Sequence, residues 1–471
     1  MVLNHKSIVS FLIVSISLLT SVIVFFYTNY EGYELLFLHP LTYIFVYSLV
    51  LSKTLNRDRL RLFFIVLIFI SFLRYVLLPL LIVISEHYGG RSFREPNSET
   101  IFIAILLMNY ELIVYALFIA YKESKSKRKT AQKNYMHGNK NWFIGKKGID
   151  LGYILFIMLT IVGISLYPSS LFNINFIFPT SLDLEYETSL IENLVIYSIL
   201  ISKQLIFIMI VRKLYLRYLN NGSLLYIYLS FLVALFNILI YSGTNRSDIL
   251  ISALISFLVL YKLYGKVTKK YMVLGALLLF IIINIVTQAR DHMGISRGTD
   301  KLIDTADTVQ VYTGGVYNVS IAIETNEIIP DDEYLGMLFF DIFRPMIGVN
   351  IFVKDLPFQY SNIFFNKRMW LSIDRRSQIL PMIGQGFLYF GFFLAPIFGL
   401  LFINLFYFLE RKLHDTNSLE IYYFLSLVMV RLGFLMGQNT MNMINDMSMN
   451  LVLFLIVYYF NKFIKEIVLK K

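Results

Sequence analysis

The arginines Arg246, Arg290, Arg344, Arg375, Arg376 and Arg431, with Asp291, His292, Asp341 and Asp374, are the side chains whose types could do chemistry together. A guanidinium is a planar fork that donates two parallel hydrogen bonds to a phosphate and keeps its charge. Carboxylates and an imidazole among such forks add groups that take or give a proton. Singly, each arginine would serve as a contact to lipid headgroups; several, with acids and a histidine between them, point to a site for an anion. Other chemistries find no support. The chain has 0 cysteines, so disulfides and thiolate metal sites are excluded, and its 6 histidines fall in no HExxH or similar ligand spacing. No Walker loop or GxGxxG opens a helix, so nucleotide-driven chemistry has no cradle; neither a cofactor nor a metal is expected.

The elements that must position these residues are membrane helices. The 471-residue chain is 57% hydrophobic and 15% charged, with a mean hydropathy of +0.65, far more apolar than a soluble domain. A hydrocarbon core about 30 Å thick takes roughly 20 apolar residues per crossing helix. About twelve runs meet that length: 8 to 27, 35 to 52, 60 to 84, 100 to 121, 151 to 171, 190 to 211, 223 to 241, 248 to 264, 271 to 288, 381 to 406, 419 to 437 and 447 to 464. The fold class is therefore all-α, a polytopic helical bundle, because backbone polar groups in hydrocarbon are satisfied only within helices or closed barrels. The first run is too long for a removable signal peptide and is read as a span.

Lys and Arg mark the cytoplasmic loops. They crowd 53 to 61, 122 to 150, 212 to 222, 262 to 270 and 410 to 418, whereas 28 to 34, 172 to 189 and 438 to 446 have none, so both termini are read as cytoplasmic. The net charge of +11 is then mostly topological; the bilayer is the expected partner, and nucleic acid is not. The organisation becomes nine helices over 1–288, a large outer loop over 289–380 and three more helices over 381–471, in one membrane domain. Loops that long are usually functional or disordered. The apolar "YLGMLFFDIFRPMIGVNIF" (334 to 352) and "NIFFNKRMWLSI" (362 to 373) argue against disorder, and are read as interfacial helices folded over the bundle.

Three cations fall inside runs. Lys203 lies roughly 12 Å from the inner end of its helix, where snorkelling accounts for it. Arg74 and Arg431 sit on outward-running spans and call for a partner or a polar cavity.

Four stretches together resemble the bacterial O-antigen and capsular oligosaccharide repeat-unit polymerases. They are the Gly-x-x-Arg turn from Gly243 to Arg246, "TQARDHMG", "YLGMLFFDIFRPMIG", and the re-entry "DRRSQILPMIGQGFLYFGFFLAPIFGLL", within about residues 242 to 405. "GQGFLYFGFF" keeps Gly384, Gly386, Phe390 and Gly391 but has Phe387 and Leu388 where the family often has an acid; Arg375 and Gly386 meet the Arg-x10-Gly spacing of some members.

The resemblance implies a plasma-membrane glycosyltransferase joining undecaprenyl-pyrophosphate-linked oligosaccharides at the outer face, for O-antigen of lipopolysaccharide or for capsule, with a chain-length regulator as a further candidate partner. A sugar hydroxyl attacks the anomeric carbon and the lipid pyrophosphate leaves, so preorganised cations at the pyrophosphate lower the barrier most. Arg246, Arg290, Arg344, Arg375, Arg376 and Arg431 are the expected pyrophosphate ligands. His292 is the expected base, with Asp291, Asp341 and Asp374 as alternatives. Tyr312, Tyr317, Tyr360 and Trp370 could stack on sugars. The alternatives are a lipid-linked oligosaccharide flippase, or another membrane glycan transferase such as an O-antigen ligase or a glycosyltransferase using a polyprenyl phosphate sugar; the acidic "YEGYE" at 30 to 34 would suit a metal-dependent form of the last.

Overall fold

The computed structural model describes residues 5–55, 61–92, 94–130, 150–176, 189–242, 246–268, 271–272, 275, 301–371, 378–416 and 418–469. Among them the chain is helical apart from a two-stranded antiparallel ribbon, Ile174–Phe176 paired with Ile240–Ser242. Among the described residues six helices are long and apolar enough to cross a membrane: Ser7–Tyr27, Leu62–Ile84, Ser98–Lys125, Ile191–Asn221, Asp248–Thr268 and Thr440–Ile467. A seventh span arises if Met382–Leu394 and Ile397–Leu413, bent by 101°, count as one.

Twelve straight spans are therefore not shown, and the reasons are local. The 35 to 52 run is helical from Leu38 onward, as Leu38–Val46, a π-helical turn Tyr47–Leu51 and Ser52–Leu55, but is not among the helices long and apolar enough to cross. Leu151–Leu166, Leu225–Leu239 and Leu419–Gly433 stop at 16, 15 and 15 residues, short of the roughly 20 that a bilayer needs. The 381 to 406 run breaks between Leu394 and Ile397, and most of 271 to 288 lies outside the described residues. Run length alone does not see these breaks.

The chain divides into two units: 1–136, 297–411 and 429–446 form the first; 137–296, 412–428 and 447–471 form the second. In the first, Arg61 donates from Nε to Glu410 Oε1 (2.5 Å) and from Nη1 to Glu123 Oε1 (2.9 Å), so three segments that the charge pattern assigns to the inner side meet one another. In the second, Asp150 pairs with Arg212 and with Lys465 (2.6 Å), while Arg212 also reaches Glu420 (2.7 Å). Each of these groups likewise comes from segments read as inner.

Lys203 is not snorkelling. Its Nζ donates to Asn237 O (2.9 Å) and to Ile240 O, where Leu225–Leu239 ends and leaves carbonyls without helical partners. A cation at the negative end of a helix dipole is favoured there. Arg74 is fully buried and bonds Glu111 Oε2 at 2.9 Å, inside a π-helical turn, Leu73–Leu77, of the Leu62–Ile84 span.

Candidate functional site

The segment read as outer is not merely folded over the helices of the first unit; part of it is built in. Helices Lys301–Thr313 and Val316–Thr325 form a hairpin whose turn packs Gly315 on Leu78. Leu78 is six residues before Ile84, so the turn reaches about 9 Å below the outer end of that span. Every residue of Val316–Thr325 is buried. The helix is not uniformly apolar: Asn318 Nδ2 is buried without a partner, while its other polar side chains are bonded. Tyr317 OH donates to Arg94 O (2.8 Å) and meets Ser92 Oγ, and Ser320 and Thr325 bond back to Tyr317 O and Ile321 O.

Glu324, 1% exposed, ties this helix to two other segments. It accepts from Arg94 Nη2 (2.9 Å), Asn97 N (2.7 Å), Thr100 Oγ1 (3.2 Å) and Arg368 Nη2 (3.2 Å), and Arg368 also pairs with Glu327 at 2.6 Å. A buried carboxylate is tolerated only when paired and hydrogen-bonded to this degree.

Asp341 is the hub of a second network. It lies on Tyr334–Phe343 and is 1% exposed. Ser361 N (3.1 Å) donates to Oδ1, while Ser361 Oγ (2.5 Å), Gln385 Nε2 (2.6 Å) and Tyr389 OH (2.7 Å) donate to Oδ2. Gln385 Oε1 in turn accepts from Thr440 N at 2.8 Å. Burial raises the Asp341 carboxyl above its usual range, and the donors from Ser361, Tyr389 and Gln385 oppose that rise. Three donors meet Oδ2 and one meets Oδ1, so Asp341, 1% exposed, organises its neighbours.

Gln385 and Tyr389 are carried by Met382–Leu394, whose entry is fixed by side chains of Ser361–Trp370. Asn366 bonds both Gln378 O (2.8 Å) and Gln378 N (3.0 Å), and Asn362 Oδ1 accepts from Leu380 N (2.8 Å). The helix kinks at Gly391, whose φ of 69° only glycine adopts without strain, and then turns at Ala395. A Cβ on Gly386 would land on Ala395 O, so this glycine sets how closely the two arms approach. Tyr110 OH donates to Phe393 O (3.0 Å), placing the bend twelve residues, or about 18 Å, along the helix that begins at Ser98. That is mid-bilayer depth for a helix read as crossing it.

Of the arginines proposed from sequence, Arg344 is half-buried, makes no ion pair among the described residues, and faces Tyr360 electrostatically. Burial pushes the Tyr360 hydroxyl up to about 12, Arg344 opposing and Asp341 adding to the rise. Arg431 is already matched by Asp446 (Nε to Oδ2, 2.8 Å). Arg246 opens the helix Arg246–Tyr264 of the second unit; its side chain lies outside the described residues, as do Arg290, Asp291, His292, Asp374, Arg375 and Arg376 entirely. Tyr317 is unavailable to a sugar, being fully buried; Tyr312 is 42% exposed, Tyr360 packs on Phe340, and Trp370 packs against the apolar core. Among the described residues no group of three or more His, Asp or Glu could hold a metal, "YEGYE" included.

Sequence reasoning saw Glu324 only as one of the segment's ionisable groups and missed its role, the supporting polar residues Arg94, Ser361, Arg368, Gln385 and Tyr389, and a contact between His87 Nε2 and Asp307 Oδ1 of 2.9 Å. No spacing marks them, because their partners come from distant segments. The one available signal was composition: a lone Glu324 in "VYNVSIAIET" and a lone Gln385 in "PMIGQGF" each interrupt apolar runs. No protein-family model matches the chain, and no curated protein or solved structure is significantly similar to it.

Proposed function

We propose that the chain is a membrane glycosyltransferase that polymerises undecaprenyl-pyrophosphate-linked oligosaccharide repeat units at the outer face of a bacterial plasma membrane, yielding O-antigen or capsular polysaccharide. The observation that carries this reading is the insertion of a polar outer segment into a membrane-spanning unit. Helices Val316–Thr325 and Met382–Leu394 bring Glu324, Gln385 and the tyrosines Tyr317 and Tyr389 into ordered positions within that unit, which suits a lipid-linked substrate met at membrane depth. A structure serving only as a solvated connector has no need of that burial.

In the reaction, a hydroxyl of the acceptor unit attacks the anomeric carbon of the donor glycan, the bond from that carbon to the pyrophosphate oxygen breaks, and its electron pair leaves with the lipid pyrophosphate. Arginines of the outer segment receive the growing charge; Arg344, whose guanidinium is unpaired among the described residues, is ready to do so. Arg94 and Arg368 are committed to Glu324 and hold the segment in place, and Arg431 is matched by Asp446.

The test is the length of the surface glycan in a deletion strain complemented with wild type, Arg344→Ala or Arg290→Ala, with membrane abundance checked for each. The polymerase reading expects single repeat units at the surface of the deletion strain and of variants that are present in the membrane yet inactive. Loss of all surface glycan, with lipid-linked units held at the inner face, would show a flippase instead.

A further inference from the structure

Two histidines lie in segments read as outer, His87 and His292, and His87 is the one whose surroundings are described. Its Nε2 is 2.9 Å from Asp307 Oδ1, with side chains 13% and 6% exposed. A carboxylate only accepts, so Nε2 carries the hydrogen in the neutral ring and Nδ1 holds the lone pair, for which no described partner is seen. This is the arrangement by which an acid fixes the tautomer and direction of a catalytic imidazole.

The loop presenting His87 is held from several sides. His87 N bonds Ile82 O (3.1 Å), Tyr33 OH donates to Tyr88 O (2.6 Å), and Gln310 Nε2 donates to Gly89 O (3.3 Å). Immediately before the imidazole, Glu86 has a φ of 50°, a left-handed conformation that a non-glycine residue keeps only when its surroundings impose it. Immediately after it, Tyr88 stacks on Tyr30 at 4.8 Å, and Tyr30, 39% exposed, also bonds Glu95 Oε2 at 3.4 Å. An aromatic face beside carboxylates is a surface for a sugar ring and its hydroxyls.

Resting on the polymerase reading, we infer that this loop is the acceptor site, with His87 as the base and Asp307 as its positioning residue. The acceptor sugar lies against Tyr30 with one hydroxyl at His87 Nδ1. As the hydroxyl oxygen forms its bond to the donor's anomeric carbon, its proton passes to Nδ1. The bond to pyrophosphate breaks with its electrons, and the proton later leaves His87 to water. Asp307 remains a carboxylate, stabilising the imidazolium through Nε2–H.

The experiment uses detergent-solubilised full-length protein and lipid-linked single repeat units extracted from the deletion strain, with product length followed in time. His87→Gln retains a donor for Asp307 but offers no basic nitrogen; its folding is checked by thermal unfolding, with His87→Asn as a second variant. The expected result is a fall in kcat of about 10²-fold or more in both, with KM little changed. Asp307→Asn lowers kcat and Asp307→Glu restores part of it, whereas Tyr30→Ala raises KM for the acceptor unit. Wild-type turnover in His87→Gln would make the contact merely structural and overturn the assignment while leaving the polymerase reading intact. Failure of the wild-type protein to lengthen the units would overturn that reading, and the acceptor site with it.

Discussion

Asp341 and Glu324 show how much a single buried carboxylate can organise. Asp341→Ala leaves Ser361 N, Ser361 Oγ, Gln385 Nε2 and Tyr389 OH without their acceptor, at a cost on the order of 3 kcal/mol or more, seen as a lowered unfolding temperature in detergent. Asp341→Asn preserves one carbonyl acceptor and the side-chain shape, and is expected to lose less stability and to keep glycan lengthening; loss of turnover with undiminished stability would return Asp341 to the list of bases. The raised Asp341 carboxyl also sets a pH slope. Between the ordinary carboxylate range and the raised value the folded chain binds the proton that the unfolded chain has released, so stability falls as pH rises through that window. Asp341→Asn should flatten the slope in unfolding curves taken across it. Asp341 was legible in sequence as an outer-segment acid, but its role was not, because its four hydrogen bonds come from Ser361, Gln385 and Tyr389, up to 48 residues away.

At the scale of elements, the outer segment is held by ion pairs and the re-entry by glycines. Glu324→Ala uncovers Arg94 and Arg368 against each other in a buried setting, which costs about 3–5 kcal/mol. Protease should then cut within 301–371 in membranes where the wild-type segment resists. Gly386→Ala places a methyl group where Ala395 O sits, so the arms of the bend must separate, with a destabilisation of about 1–3 kcal/mol. An unfolding temperature equal to that of wild type would mean that the bend has slack the packing does not suggest. The helix Met382–Leu394 was readable as apolar from its residues, and Pro396 marks a place where its ladder cannot continue. The run "GFLYFGFFLAPIFGLL" nonetheless satisfies the length criterion for a straight span, and the seating of Gly386 on Ala395, with Gly391 at positive φ, accompanies its division there.

At the scale of the whole molecule, each unit groups separately the segments that the charge pattern puts on one side: Arg61 with Glu123 and Glu410 in one, Asp150 with Arg212 and Lys465 in the other. The absence of cysteine makes the sidedness directly measurable. A cysteine at Asp332 should react with a membrane-impermeant maleimide in intact cells or spheroplasts, and one at Ser124 only after permeabilisation; the opposite pattern would invert the topology. Membrane character, helical class and the grouping of loops were determined by the sequence alone, because transfer of apolar surface and the distribution of Lys and Arg are sums over local residues. The number of unbroken spans, the burial of Val316–Thr325 and the partners of Lys203, Glu324, Asp341 and His87 were decided only by the tertiary structure. Each depends on which distant backbone or side-chain group fills a given hydrogen-bond position, and local composition carries no record of that.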